Sequence, residues 1–87
     1  MSEGYDLFLS KIAIRSAQSL PSAQRDKLRR AFSLMKENPF SYPYKKIRGE
    51  PHLYRIRIGS YRVLYEIDEP NKRIMILKID RRSKVYK

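Results

Sequence analysis

Cysteine is absent from these 87 residues, and histidine occurs once, as His52. The first absence excludes disulfides, thiolate zinc sites and a thiol nucleophile; the second excludes His-rich metal sites and any triad that needs another imidazole. Neither a metal nor any other cofactor is therefore expected. Long apolar runs are also lacking. No stretch approaches the roughly 18 residues of a membrane span, and the opening MSEGYDLFLSKIAIRSAQ has no basic region leading into an apolar one and no cleavage site. The expectation is a soluble, cytoplasmic chain with no membrane partner. Acidic residues are scarce as well: 9 Asp+Glu against 20 Lys+Arg leave a formal charge of +11. Solubility needs a net charge of only about 2–8 in a small domain, and further excess strains a fold with roughly 4–13 kcal/mol of stability. The surplus points to a polyanionic partner.

With 41% hydrophobic residues and only 3 Gly, the chain is too apolar for a disordered basic tail, and 87 residues allow one small domain, 1–87, rather than a multidomain enzyme. Tyr5 to Leu9 is short, aromatic and aliphatic, as an opening strand would be. Ser10 is placed to cap a helix over Lys11 to Ser19, where Ala13, Ala17 and Leu20 recur at helical spacing until Pro21. Ser22 is the expected cap of a second helix between Ala23 and Glu37. There Leu28, Ala31, Phe32 and Met35 form one buried stripe, and Asn38-Pro39 stops it. Residues 39–53 carry Pro39, Pro43, Gly49 and Pro51, which suits an irregular connection with at most a short extended piece around Lys46-Ile47-Arg48.

The period then changes to two. Leu53 to Ile58, Gly59-Ser60 and Tyr61 to Ile67 read as a hairpin whose Gly supplies the positive φ of a II′ turn. That turn pairs Ile58 with Tyr61, Arg57 with Arg62, Ile56 with Val63 and Tyr54 with Tyr65, so Arg55, Arg57, Arg62, Leu64 and Glu66 share the face away from the core. Asp68 to Lys72 forms a five-residue turn into a third strand, Arg73 to Ile79. Pairing Ile67 with Arg73 would put Met75, Leu77 and Ile79 in the core and Lys78 opposite Arg62, giving a row of Arg57, Arg62 and Lys78. The expected class is α+β, in the order β-α-α-β-β-β, with an antiparallel sheet carrying the helix pair on one face. Like charges opposite one another cost about 0.2–1 kcal/mol, so such a row suits phosphates better than stability. The tail Arg81-Arg82-Ser83-Lys84-Val85-Tyr86-Lys87 extends the basic patch and adds a tyrosine that can stack on a base or exchange a proton.

Four runs carry a family resemblance: Lys46-Ile47-Arg48-Gly49, Leu53-Tyr54-Arg55-Ile56-Arg57, Gly59-Ser60-Tyr61-Arg62-Val63-Leu64-Tyr65 and Ile79-Asp80-Arg81-Arg82-Ser83-Lys84-Val85-Tyr86. Together they resemble the successive motifs of the RelE/ParE toxin superfamily, most nearly its RelE branch. The resemblance implies a RelE-like microbial RNase fold and a toxin of a toxin-antitoxin module, an endoribonuclease (mRNA interferase) that cleaves mRNA in the ribosomal A site without a metal. It also implies a RelB-like antitoxin held in a hetero-oligomer. By position it assigns Arg55, Arg57, Arg62, Arg82 and Tyr86 to catalysis, and it leaves Lys46, Arg48, Lys78, Arg81 and Lys84 as RNA contacts. Arg55 and Arg57 stand where the family has two catalytic lysines, which keeps the charge but makes proton transfer harder because guanidinium hardly deprotonates. Arg81 stands where many relatives have histidine.

The implied reaction is attack of a 2′-hydroxyl on the adjacent phosphate, giving a 2′,3′-cyclic phosphate and a free 5′-hydroxyl. Arg55, Arg57 and Arg62 would stabilise the phosphorane charge. Tyr86 would stack on a base and could move a proton, and Arg82 would serve the leaving group. Glu66 is an alternative base, although it lies two pleats from Arg62, and His52 is expected in an exposed loop. Two other readings fit the same residues: a ParE-like DNA gyrase inhibitor and a noncatalytic RNA- or ribosome-binding domain.

Overall fold

One serine side chain ties together the start of the molecule and its last strand. Strand β1 (Asp6–Leu9) runs into Ser10, whose Oγ accepts from the Ala13 N–H at 3.0 Å and so caps helix α1 (Lys11–Gln18) as expected. The same hydroxyl donates to the Leu77 carbonyl at 2.9 Å. The structure, a computed structural model, describes residues 4–81. Helix α2 (Ser22–Glu37) departs from expectation at its start. Pro21 takes the cap position, no side-chain cap bond forms, and Ser22 is already helical. Proline suffices there because its missing N–H would have no partner in the helix and its carbonyl accepts the first bond, from Arg25 N–H at 2.9 Å. Leu28, Ala31 and Met35 are buried along the anticipated stripe, with Phe32 packed beside them. Asn38 ends the helix.

Four more strands follow: β2 (Lys45–Lys46), β3 (Leu53–Ile58), β4 (Tyr61–Asp68) and β5 (Arg73–Arg81). They form a five-stranded sheet in the order β1-β5-β4-β3-β2. The class is α+β, but the sheet is mixed rather than antiparallel, because β1 lies parallel to β5 with Leu7 opposite Ile74 and Leu9 opposite Ile76. The alternation within β1 fixes which side chains face the core and carries no information about direction. Direction follows from the helix pair, which takes the chain off β1 and returns it at the opposite edge of the sheet.

The β3–β4 hairpin has the expected register, Ile58 with Tyr61 through Tyr54 with Tyr65. Gly59 has φ of 60° and Ser60 is not in the left-handed region, as a II′ turn requires. A Cβ on Gly59 would meet the side-chain amide of Gln24 on α2. Gly59→Ala is therefore expected to cost about 1–2 kcal/mol, mainly from the positive φ, since the end of a glutamine side chain can swing aside. Chemical denaturation checks this, and Gln24→Ala in the same chain should recover little of the loss.

The second turn corrects the sequence reading. Asp68 pairs with Arg73, Ile67 with Ile74 and Tyr65 with Ile76; a register shift then brings Leu64 opposite Lys78 and Arg62 opposite Asp80. Ile74, Ile76 and Ile79 are the buried residues of β5, whereas Met75 is 36% exposed and Leu77 is only half-buried. The step of three from Ile76 to Ile79 needs one extra residue in the strand, a β-bulge. Leu77 is that residue, and its carbonyl is satisfied by the Ser10 hydroxyl. The turn itself is shorter than expected, with Lys72 at φ of 54° and the Asn71 side chain donating to Asp68 Oδ2 at 2.9 Å. That hydrogen bond holds the Asp68 carboxyl below the usual carboxylate range.

Both helices cover one face of the sheet. Ala13, Leu20, Leu28, Ala31 and Met35 meet Ile56, Ile58, Val63, Tyr65, Ile67, Ile74, Ile76 and Ile79 in one core. Among the described residues the other face carries no helix. No helix among the described residues is long and apolar enough to cross a membrane.

Candidate nucleic-acid interface

The helix-free face is built by alternation. Every second residue of β3 and β4 enters the core, so Arg55 and Arg57 on β3 and Arg62 on β4 project the other way. Arg57 and Arg62 are direct cross-strand partners, with α-carbons about 4.5–5.5 Å apart, and Arg55 follows two residues along β3, about 7 Å away. Among the described residues the ion pairs are Arg29–Asp26 and Lys78–Asp80, so none of these three arginines has a carboxylate partner.

The bulge changes which cation joins them. Lys78 does not lie opposite Arg62; it pairs with Leu64, and its ammonium is 3.5 Å from Asp80, the residue that does face Arg62. The row of Arg57, Arg62 and Lys78 is thus replaced by one of Arg57, Arg62 and Asp80. A different lysine, Lys45 on β2, pairs with Arg55 and lies exposed at the sheet edge. The basic cluster is therefore Lys45, Arg55, Arg57 and Arg62, displaced towards the β2 edge. Sequence reasoning missed Lys45 because a two-residue strand inside a proline-rich connection has no alternation of its own to show its face.

The remaining sequence-nominated residues are dispersed. Lys46 turns to the core side: its ammonium donates to the Glu50 and Pro51 carbonyls, both at 3.0 Å, and lies 5.5 Å from the centre of the Tyr54 ring. It pins the loop between β2 and β3. Arg48 is exposed in that loop beside Gly49, which has φ of 82°. Arg81 pairs with Tyr61 and sits 5.9 Å over its ring, so it projects from the face opposite to Arg62. His52 is exposed in a turn, as expected. Glu66 is on the helix-free face between Leu53 and Met75, near Phe8, Asp68 and Arg73; it is diagonal to Arg55 and four residues along β4 from Arg62. Arg82, Lys84 and Tyr86 lie outside the described residues.

Two tyrosines near the cluster are unsuited to accept a proton. Burial pushes the Tyr65 phenol well above its ordinary range, and its buried hydroxyl has no hydrogen-bond partner. Tyr54, stacked on Tyr65 with ring centres 6.0 Å apart, is raised as well, first by loss of solvent and then by Glu69 and Tyr44. What this face offers is fixed positive charge, which binds phosphate and stabilises charge that develops on it.

The family model described as the ParE toxin of type II toxin-antitoxin systems, parDE, matches residues 8–86. The chain belongs to the RelE/ParE toxin superfamily. Its relatives lie on the RelE side. It is 29% identical over 86 residues to the protein named RelE1 of Methanocaldococcus jannaschii, covering 95% of this chain and 96% of that one. Among solved structures, the archaeal RelE–RelB complex from Pyrococcus horikoshii superposes with a TM-score of 0.80 at 28% identity, covering 94% of this toxin and 99% of that chain. The isolated Escherichia coli RelE toxin superposes with a TM-score of 0.79 at 26% identity, covering 94% and 90%. The protein is thus a toxin of a toxin-antitoxin module with a RelE-like fold. The mixed five-stranded sheet with two helices on one face is the form that fold takes here.

Proposed function

We propose that this toxin is a ribosome-dependent endoribonuclease that cuts mRNA in the A site by attack of a 2′-hydroxyl on the adjacent phosphate. The observation that carries the reading is the group of Arg55, Arg57 and Arg62, without carboxylate partners, on the face of the sheet that the helices leave open. Placing like charges directly opposite one another costs stability, and an in-line phosphorane, with one more negative charge than the diester, offsets that cost only in the reacting complex. Arg57 and Arg62 neutralise the non-bridging oxygens, Arg55 holds a neighbouring phosphate, Arg82 serves the leaving 5′-oxygen, and Tyr86 stacks on a base and exchanges the proton. Lys45 and Lys78 add phosphate contacts along the same face; Arg48, Arg81, Lys84 and Lys46 are RNA contacts further out. The whole chain, 1–87, acts as one toxin domain in the cytoplasm, restrained by a RelB-like antitoxin whose acidic segment covers the arginines.

The test is direct. Purified toxin added to translating ribosomes should produce mRNA breaks within A-site codons, with 2′,3′-cyclic phosphate and 5′-hydroxyl ends, and naked mRNA should survive. Intact mRNA on translating ribosomes would sink the reading. Because the matching family is described by ParE, the same preparation is assayed with DNA gyrase; trapped DNA cleavage complexes there would move the assignment to gyrase poisoning. Salt-sensitive RNA association with neither product would leave a noncatalytic binding domain.

A further inference from the structure

A shallow groove of about 330 Å³ opens at the edge of the sheet, lined by Pro43, Tyr44, Lys45, Arg55, Ile56 and Arg57. It exists because β2 is only two residues long. Lys45 and Lys46 cover β3 at Arg55 and Tyr54, and Pro43, which has no N–H to donate, stands just before them, so among the described residues no strand pairs with that edge of β3 at Ile56 and Arg57. Tyr44 forms the wall. The residue is 43% exposed, yet its ring is held edge-on against two others, Phe40 at 5.4 Å and Tyr54 at 5.7 Å between centres. An exposed aromatic side chain braced by two half-buried rings, with three cations around it and no carboxylate in the lining, combines a stacking surface with phosphate binding.

We propose that this groove is a nucleotide subsite in which an unpaired RNA base stacks on Tyr44 while its flanking phosphates lie on Lys45, Arg55 and Arg57. It rests on the RNA-handling role proposed for the basic face and extends it by one nucleotide towards the β2 edge. The lining discriminates against the other occupant that an open strand edge invites, a peptide added as a further strand: Pro43 narrows the edge, and the aromatic wall gives a base a flat partner that a peptide backbone does not use.

The experiment measures binding of the isolated toxin to a fluorescent single-stranded RNA octamer whose 2′-O-methyl groups block cleavage, titrated over a range of salt. Tyr44→Leu, which keeps the apolar packing and removes the aromatic face, is expected to weaken binding about 5- to 150-fold. Its salt slope should stay unchanged, since no phosphate contact is lost. Tyr44→Phe should bind like the original toxin. An octamer with one abasic position in the register of the groove should bind the original toxin and Tyr44→Leu equally. Binding by Tyr44→Leu within twofold of the original, or an equal loss on the intact and on every singly abasic octamer, overturns the proposal; the second result is also what strand addition by a peptide at this edge would allow. Because no ribosome and no cleavage enter the measurement, failure of the A-site assay with a Tyr44 effect on intact RNA removes the nuclease reading alone. A-site cleavage with no Tyr44 effect on binding removes the subsite alone.

Discussion

Replacing Arg62 by alanine is expected to lower single-turnover mRNA cleavage on programmed ribosomes about 100- to 1,000-fold while leaving stability within about 1 kcal/mol of the original. The first figure is the usual consequence of deleting one preorganised donor to a charge that develops in the transition state. The second follows from the register: Arg62 has Arg57 opposite it on β3 and Asp80 opposite it on β5, so its removal relieves a repulsion and loses an attraction of the same order, about 0.2–1 kcal/mol each. A residue kept for packing would behave in the opposite way, costing stability and leaving the cleavage rate of the folded protein unchanged. Melting temperature and cleavage rate measured on the same preparation separate the two. Toxin binding to the ribosome should weaken far less than the rate falls, because one of several cations is lost from the ground-state contact. If Arg62→Ala cleaves within a few-fold of the original toxin, the arginine cluster is not the seat of catalysis. Arg62→Lys should fall between the two, since it keeps the charge and loses the planar fork that meets two phosphate oxygens together.

Replacing Ile76 by alanine is expected to cost about 2–5 kcal/mol, against under about 1 kcal/mol for Leu77→Ala. Ile76 is fully buried and pairs with Tyr65, whereas Leu77 is the extra, half-buried residue of the bulge, tied to the rest of the protein through its carbonyl rather than its side chain. For a domain of this size each kcal/mol moves the melting temperature by about 4–8 °C, so Ile76→Ala should fall at least about 8 °C and Leu77→Ala less than that. Regular alternation predicts the reverse, with Leu77 in the core and Ile76 outside. Thermal denaturation of the two variants therefore decides between a bulged and an unbulged β5. The outcome bears on the site as well, because the bulge is what withdraws Lys78 from Arg62 and puts Asp80 in its place.

These two residues also mark how far the chain could be read before folding. Arg57 opposite Arg62 follows from Gly59: a two-residue turn with one positive φ leaves a single register, and strict alternation then assigns every side chain of β3 and β4 to a face. The same local chemistry identifies Ser10 as a cap and Leu28, Ala31 and Met35 as the buried stripe of α2. Ser22 misled because a good capping residue after proline looks like a helix start, whereas the preceding carbonyl had already begun the helix.

By itself, then, the sequence determined the element types, the hairpin, the arginine pair and the excess positive charge, since each depends on residues within a few positions of one another. Tertiary structure decided the direction of β1, the bulge at Leu77, the exchange of Lys78 for Lys45 beside the arginines, and the open edge that exposes Tyr44. Each of those turns on a contact between distant segments. The Ser10 hydroxyl and the Leu77 carbonyl are 67 positions apart, and nothing local to either predicts that one will satisfy the other. The +11 of the chain is a property of composition; the grouping of four of its 20 cations on neighbouring positions of β2, β3 and β4 is a property of pairing.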